Sequence, residues 1–145
     1  MANPRAITDK EGLDVRRATY SIDNSTITYD KTKAFGSDQA GKNLAVTFSA
    51  SDTVALCADG DAIVGILEQV EADGKCTVSV AGHLKFKKGN GATVTNGKKI
   101  VGALGAASAK GYIRDVNTAT AAELGKMRGF IEDTSGDPTI VVYLD

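Results

Sequence analysis

The sequence contains no tryptophan, and aromatic residues make up only 6% of its 145 residues. Sugar-binding platforms and small-molecule clefts depend on aromatic rings, so this scarcity disfavours both kinds of site. The formal net charge is −1, from 17 basic and 18 acidic residues. Since neither sign dominates, the chain has no long-range field that would attract nucleic acid or an anionic membrane.

Long apolar runs are missing as well. None approaches the ~18 residues that a membrane-spanning helix needs. The first residues, Met1 to Arg5, lack the apolar stretch of a secretory signal peptide. We therefore expect a protein that is made in the cytoplasm and does not bind membranes.

Residue types that carry chemistry are few. Cys57 and Cys76 are the only cysteines and His83 is the only histidine. The cysteines lie in apolar surroundings without C-x-x-C spacing, which predicts two buried free thiols. A lone histidine cannot build a metal site from this chain alone, so His83 is interpreted as an ordinary surface residue on the polar side of a strand.

Motifs for catalysis or cofactor binding are not found either. The chain has no G-x-S-x-G elbow and no phosphate-binding loop, and its acidic residues cluster in turns without calcium-loop spacing. The sequence therefore predicts no catalytic residue, no cofactor and no metal, and we expect that the protein is not an enzyme.

What the sequence has instead is strand patterning. Residues 76–86 place apolar side chains and Gly82 on one face and polar side chains on the other, with a period of two. Gly82, in the middle of this long strand, predicts a bend of the kind that small barrels need at their corners. Further short strands are predicted, bounded by turns rich in Gly, Asn and Asp. They lie at 27–29, 44–48, 53–56, 63–70, 99–104, 111–116, 128–131 and 139–144.

Two segments share a faint internal repeat, residues 65–80 and 129–142. Each begins with Gly, two apolar residues and Glu, and continues through a turn into a strand. The repeat predicts two similar hairpins in one sheet system. One short helix is expected at 120–126, where Thr120 and Glu123 have the spacing of a capping box and Gly125 ends the helix.

The chain is expected to divide into an extended N-terminal arm, residues 1–23, and a β-rich domain, residues 24–145. The arm is polar and weakly periodic, and mixes Arg5, Arg16 and Arg17 with several acidic residues. The fold class is mainly β, with this extended arm and one short helix.

Between residues 51 and 116, the order and spacing of turns and strands resemble those of the small capsid decoration (cement) proteins of tailed phages. The resemblance covers roughly the C-terminal two-thirds of the chain and departs most in the N-terminal third. The stretches that carry it are 51–56, 59–65, 73–82, 88–91, 97–102 and 110–114.

The resemblance implies a small β-barrel or β-tulip core, and a structural virion protein on the outer surface of the head. It also implies a homotrimer whose partner is the major capsid protein, which it would bridge and stabilise. Arg5, Arg16 and Arg17 are candidate contacts with that partner, because arginine forms bidentate pairs with carboxylates. Val141 and Tyr143, which alternate with the core positions of the last strand, are candidate subunit contacts.

Two alternatives stay open at this point. The first is a carbohydrate- or host-binding module of the head surface, which would need exposed aromatic residues. The second is an enzyme or a nucleic-acid-binding barrel. For the latter, Lys85, Lys87, Lys88, Lys98 and Lys99 offer a modest basic patch, but Phe86 is expected in the core rather than as a stacking platform.

Overall fold

The computed structural model describes residues 15–33 and 39–145. Within these ranges the chain is mainly β, as predicted, with one short α-helix and one 3-10 turn at Ala106–Ser108. The strands are β1 (Arg16–Ile22), β2 (Ala45–Ala50), β3 (Thr53–Leu56), β4 (Gly65–Val70), β5 (Lys75–Lys87), β6 (Ile100–Ala103), β7 (Tyr112–Asp115), β8 (Phe130–Asp133) and β9 (Thr139–Leu144), and the helix α1 is Ala121–Leu124.

Five strands form a closed barrel in the order β1-β3-β2-β4-β5, and pairing of β1 with β5 completes the ring. All neighbours are antiparallel except β1 and β3, which are parallel. Closure removes the free strand edges that would otherwise invite aggregation. The structure thereby confirms a mainly β fold and, of the barrel and the tulip that were expected, shows a closed barrel.

Strand β5 belongs to two sheets. Residues before Gly82 pair with β1 and β4, and residues from Gly82 onward pair with β9, which in turn pairs with β8. Gly82 has a φ of +110°, a backbone conformation that residues with a side chain rarely adopt. The bend predicted at Gly82 therefore lies where β5 leaves the barrel, and it sets the direction of the β5–β9–β8 sheet.

Two clusters of buried residues form the core. One fills the barrel and includes Ile27, Val46, Leu67 and Val78. The other lies between the β5–β9–β8 sheet and the β6–β7 hairpin, and it holds the inward residues of the last strand. Those residues are Ile140, Val142 and Leu144, each fully buried as the alternation in the sequence predicts.

The N-terminal boundary differs from the prediction. Residues 16–22, assigned to the arm, form β1 and pair with both β3 and β5, so they are an integral part of the barrel. Ile22 is only 4% exposed, and Tyr20 packs against the barrel core from the same face. In the sequence, the two adjacent charged residues Arg16 and Arg17 interrupt the alternation of inward and outward side chains, which begins only at Ala18. Residues 1–14 lie outside the described part of the chain.

A second difference concerns residues 27–29, which are not a strand. The carboxylate of Asp23 accepts hydrogen bonds from the backbone N–H groups of Thr26 and Ile27, at 2.9 Å in each case, and so holds a turn. Partial burial raises the pKa of Asp23, but these hydrogen bonds outweigh it and the pKa lies below its usual value. The turn places Ile27 in the barrel core by local hydrogen bonding rather than by strand pairing.

The helix predicted at 120–126 is present as α1 and is followed by Gly125, but the capping box is not formed. The side chain of Thr120 makes no capping hydrogen bond. Glu123 instead turns to Arg114 on β7, with Oε1 2.8 Å from the guanidinium. Arg114 also pairs with Asp59 at 2.8 Å, so one guanidinium joins the β3–β4 loop, β7 and α1.

Candidate partner-binding surface

The sheet formed by β5, β9 and β8 has one side in the core and one side that faces outward. On the outward side the register aligns His83, Tyr143 and Phe130 in one row across the three strands. Lys85 and Val141 are paired in the next row. We call these five residues the outer face. Both residues predicted as subunit contacts, Val141 and Tyr143, belong to it.

An aromatic cluster occupies the middle of the outer face. The ring of Tyr143 lies between those of His83 and Phe130, with centroid distances of 4.9 Å and 5.4 Å. Phe130 is 43% exposed, which is unusual for so large an apolar side chain. Because three paired strands hold the cluster, its rings form a contact surface that is already ordered before any partner arrives.

His83 is not the ordinary surface residue that the sequence analysis predicts. Its side chain is only 15% exposed, and Nδ1 lies 2.8 Å from Oε2 of Glu132. An ionised carboxylate only accepts hydrogen bonds, so Nδ1 donates and Nε2 is the ring nitrogen left for another partner. Glu132 reaches His83 from β8, whose register shifts between Ile131 and Asp133, and a bulge of this kind redirects a side chain. A partner on a distant strand is not visible in the local sequence around His83.

The internal repeat in the sequence corresponds to two bulged hairpins, β4–β5 and β8–β9. In each, the register shifts at the glutamate of the repeat, Glu68 in the first and Glu132 in the second. Glu68 accepts a hydrogen bond from Nε of Arg17 at 2.7 Å. Partial burial raises the pKa of Glu68, but the hydrogen bond from Arg17, further hydrogen bonding and the positive charges of Arg17 and Lys42 together place it below its usual value. Both glutamates therefore bind a basic side chain two strands away, Glu68 across β5 and Glu132 across β9.

A groove of about 470 Å³ lies where β5 separates from β4. Its apolar lining comes from Ile66 and Leu84, which are nearly buried, and from Val15. Basic groups dominate the rest of the lining. The polar lining residues are Arg17, Asn43, Glu68, His83, Lys85, Lys87 and Thr139.

The predicted contact residues lie in different places. Arg5 falls outside the described residues. Arg16 is exposed at the start of β1, opposite Ala81, while Arg17 lies at the groove in its pair with Glu68. Val141 and Tyr143 share the outer face. His83 and Lys85 belong to both regions, so the groove and the outer face are continuous across β5.

Sequence reasoning missed several of the residues that form these regions. Phe130 was expected only as a strand residue, and Glu68 only as part of the repeat. The two equivalent glutamates in the repeat were the available signal, but their partners lie on other strands and cannot be read from local sequence.

The cysteines are free and buried, as predicted. Burial raises the pKa of Cys57 to about 12 and that of Cys76 to about 11, so neither thiol ionises near neutral pH. Over residues 15–33 and 39–145, no group of His, Cys, Asp and Glu side chains could hold a metal ion. No helix in the same ranges is long and apolar enough to cross a membrane.

Comparison with known proteins gives no relative. No protein-family model matches the chain, no curated protein matches it, and no solved structure matches its fold.

Proposed function

We propose that this protein is a structural component of a virion. In this proposal it binds the outer surface of a tailed-phage head and stabilises the shell by bridging subunits of the major capsid protein. It is not an enzyme, and it is made in the host cytoplasm before it joins the head. Residues 51–116, whose order of turns and strands resembles that of the decoration proteins, include β3 to β7 in the structure.

The observation that carries the proposal is the outer face. An exposed Phe130 packed on Tyr143 is an apolar contact surface, and aromatic anchors of this kind dominate the energetics of protein interfaces. The surface lies on strands rather than on a loop. Few side chains lose conformational freedom on binding, so less of the binding free energy is spent on ordering them. A clamp on a shell needs these properties, since each copy must hold its position against neighbouring subunits.

The proposal includes a homotrimer, with Val141 and Tyr143 at the contact between subunits. Both are half-buried in the single chain, and Tyr143 is paired with Phe130. Several copies that bind a shell together gain avidity even when each contact is weak.

The test uses undecorated heads assembled from the major capsid protein encoded with this chain. The purified protein should co-sediment with the heads, and light scattering should give three times the mass of the chain, either free or on the shell. Phe130→Ser and Val141→Lys should each weaken head binding or trimer formation at least tenfold, since they remove the apolar contact without touching the core.

Leu124→Ser is the matched control. Leu124 is 42% exposed, nearly the same as Phe130, but lies on α1 rather than on the outer face. It should bind heads like the wild type. The proposal is wrong if the protein does not bind the heads, or if all three variants bind as well as the wild type.

The aromatic cluster also favours a second candidate, a host- or carbohydrate-binding module of the head surface. An exposed ring such as Phe130, packed on the half-buried Tyr143, is what a sugar platform would use. The two functions separate in one experiment. A glycan-binding module would be retained on host cells in the absence of heads, whereas a decoration protein would bind heads and leave cells free of it.

A further inference from the structure

We propose that the groove beside β5 is the docking site for the chain's own N-terminal segment, residues 1–14. In this arrangement the side chain of Leu13 fills the groove and covers its apolar lining. The inference goes beyond the proposed function and does not depend on it. Three observations support it: the point at which the chain enters the groove, the direction in which it enters, and the apolar lining that it meets there.

The segment begins inside the groove. Val15, the first residue of the described range, is half-buried, lines the groove and packs against the core cluster that contains Ile66 and Leu84. Asp14 is bonded directly to Val15, and each extended residue adds only about 3.3–3.6 Å to the reach of the chain. The residues just before Val15 are therefore held at the groove by the covalent chain. A short tether gives an effective concentration on the order of mM, so even a weak contact occupies the site.

The direction of β1 leads this segment along β5. The two strands are antiparallel, and Arg16 at the start of β1 is paired with Ala81. A chain that continues backward from Arg16 therefore passes Gly82 and runs towards Leu84. Among the described residues, the pairing of β1 and of β4 with β5 ends before Gly82, and the half of β5 that follows is the half that lines the groove.

Leu13 is the side chain of the segment that suits the apolar lining. It lies two residues before Val15, and side chains two residues apart point to the same side of an extended chain. An extended chain therefore places Leu13 on the side of Val15, over the lining that Ile66 and Leu84 provide. Docking removes the apolar surface of Leu13 from water and supplies contacts that a groove of about 470 Å³ otherwise leaves unmade.

A docked segment changes the surface that a partner meets. His83 lines the groove and also belongs to the outer face, where its ring packs on that of Tyr143. Residues docked beside His83 therefore border the aromatic cluster. The groove is then filled from within the chain, and the outer face stays available for contacts with other proteins.

NMR of the full-length protein tests the docking directly. In the wild type, short-range cross-peaks should connect the methyl groups of Leu13 with those of Ile66 and Leu84. Leu13→Glu puts a charge against this apolar lining and should release the segment, because an unpaired charge is costly to bury. The signals of His83, the only histidine, should then shift, since its side chain lines the groove.

Ala2→Glu is the matched control, because it introduces the same charge at the other end of the segment. It should leave the His83 signals and the Leu13 cross-peaks as they are in the wild type. Leu13→Met keeps an apolar side chain of similar size and should also keep the His83 signals. The cross-peaks and the signals should be unchanged over about a hundredfold range of protein concentration, because an intramolecular contact does not depend on concentration.

Three outcomes would overturn the inference. The first is the absence of cross-peaks from Leu13 to the groove. The second is contacts that appear only at high protein concentration, which would mean that the groove takes the segment of a second copy. The third is unchanged His83 signals in Leu13→Glu together with weaker binding to heads, which would mean that the segment contacts the shell. Head binding is measured separately, so the proposed function stands if only the docking fails.

Discussion

Arg128 offers the sharpest test of how the barrel and the second sheet are held together. Its guanidinium donates hydrogen bonds to backbone carbonyls from three parts of the chain. The Arg128 Nη1 donates to the backbone carbonyls of Val64 at 2.6 Å and Ile63 at 3.3 Å, just before β4. Its Nη2 donates to the carbonyl of Val80 on β5, and to that of Asp145, after β9, at 2.9 Å. One side chain therefore ties the barrel to the C-terminal strand.

The magnitude follows from those bonds. Hydrogen bonds from a charged group contribute about 1.5–3 kcal/mol each, and the bonds to Val64 and Val80 are the short ones that lie within the fold. Burial of the guanidinium works against them and lowers the pKa of Arg128 below its usual value. Arg128→Met keeps most of the apolar stem but loses every donor. We expect it to lower the free energy of unfolding by about 2–4 kcal/mol, which is about 6–12 °C in Tm for a domain of this size.

Urea unfolding followed by circular dichroism measures the change directly. The midpoint should fall while the slope with denaturant is unchanged, because the same surface is exposed on unfolding. Arg17→Met is the matched control. Arg17 is 56% exposed in its pair with Glu68, and exposed pairs contribute no more than about 1 kcal/mol. If the two variants unfold at the same urea concentration, the hydrogen bonds from Arg128 to the backbone carbonyls do not stabilise the fold and the reasoning is wrong.

Three other expectations are open to direct measurement. Gly82→Ala should destabilise by about 1–3 kcal/mol because of its positive φ, whereas Gly125→Ala, at a φ of −79° and with open space around it, should be nearly neutral in the same urea assay. Cys57 and Cys76 should not react with a thiol reagent at pH 8 in the native protein and should both react in urea; rapid native labelling would contradict their burial. The hydrogen bond from the arginine on β7 holds the pKa of Glu123 below its usual 4.5, so the stability it provides is present above pH 4.5 and is lost as the pH falls through the lowered pKa. Glu123→Gln should therefore lower the urea midpoint at pH 7 but much less at pH 3, and an equal loss at both values would refute this assignment.

The fold was predictable where side chains alternate without interruption. The last strand β9 shows an uninterrupted period of two, and its inward residues are buried as expected. The long strand β5 keeps this period except in its middle, where Ser79 is fully buried although its position predicts exposure and Val80 is only half-buried. Local turn chemistry also served well, since the bend at Gly82 depends on a single residue with a positive φ. Each of these features is decided by interactions within a few positions along the chain.

Prediction failed where a distant partner decides the outcome. Residues 16–22 look like a charged arm in sequence, but closure of the barrel requires a strand between β3 and β5, and Arg16–Ile22 fills that place. Glu123 has the spacing of a capping box, but the guanidinium of Arg114 is a stronger partner for a carboxylate than a backbone N–H group. In both cases the local pattern was read correctly and a tertiary contact overrode it.

The candidate site shows the same division between local pattern and tertiary placement. The repeat of Gly, two apolar residues and Glu predicted a pair of similar hairpins, and a pair of hairpins is present. In each the glutamate lies at a bulge, where two residues oppose one and a side chain is redirected. Glu68 thereby meets Arg17, and Glu132 meets His83, on opposite sides of β5. The bulged hairpins thus fix two of the basic groups that line the groove, which is why its charge could be located only after the strands had been placed.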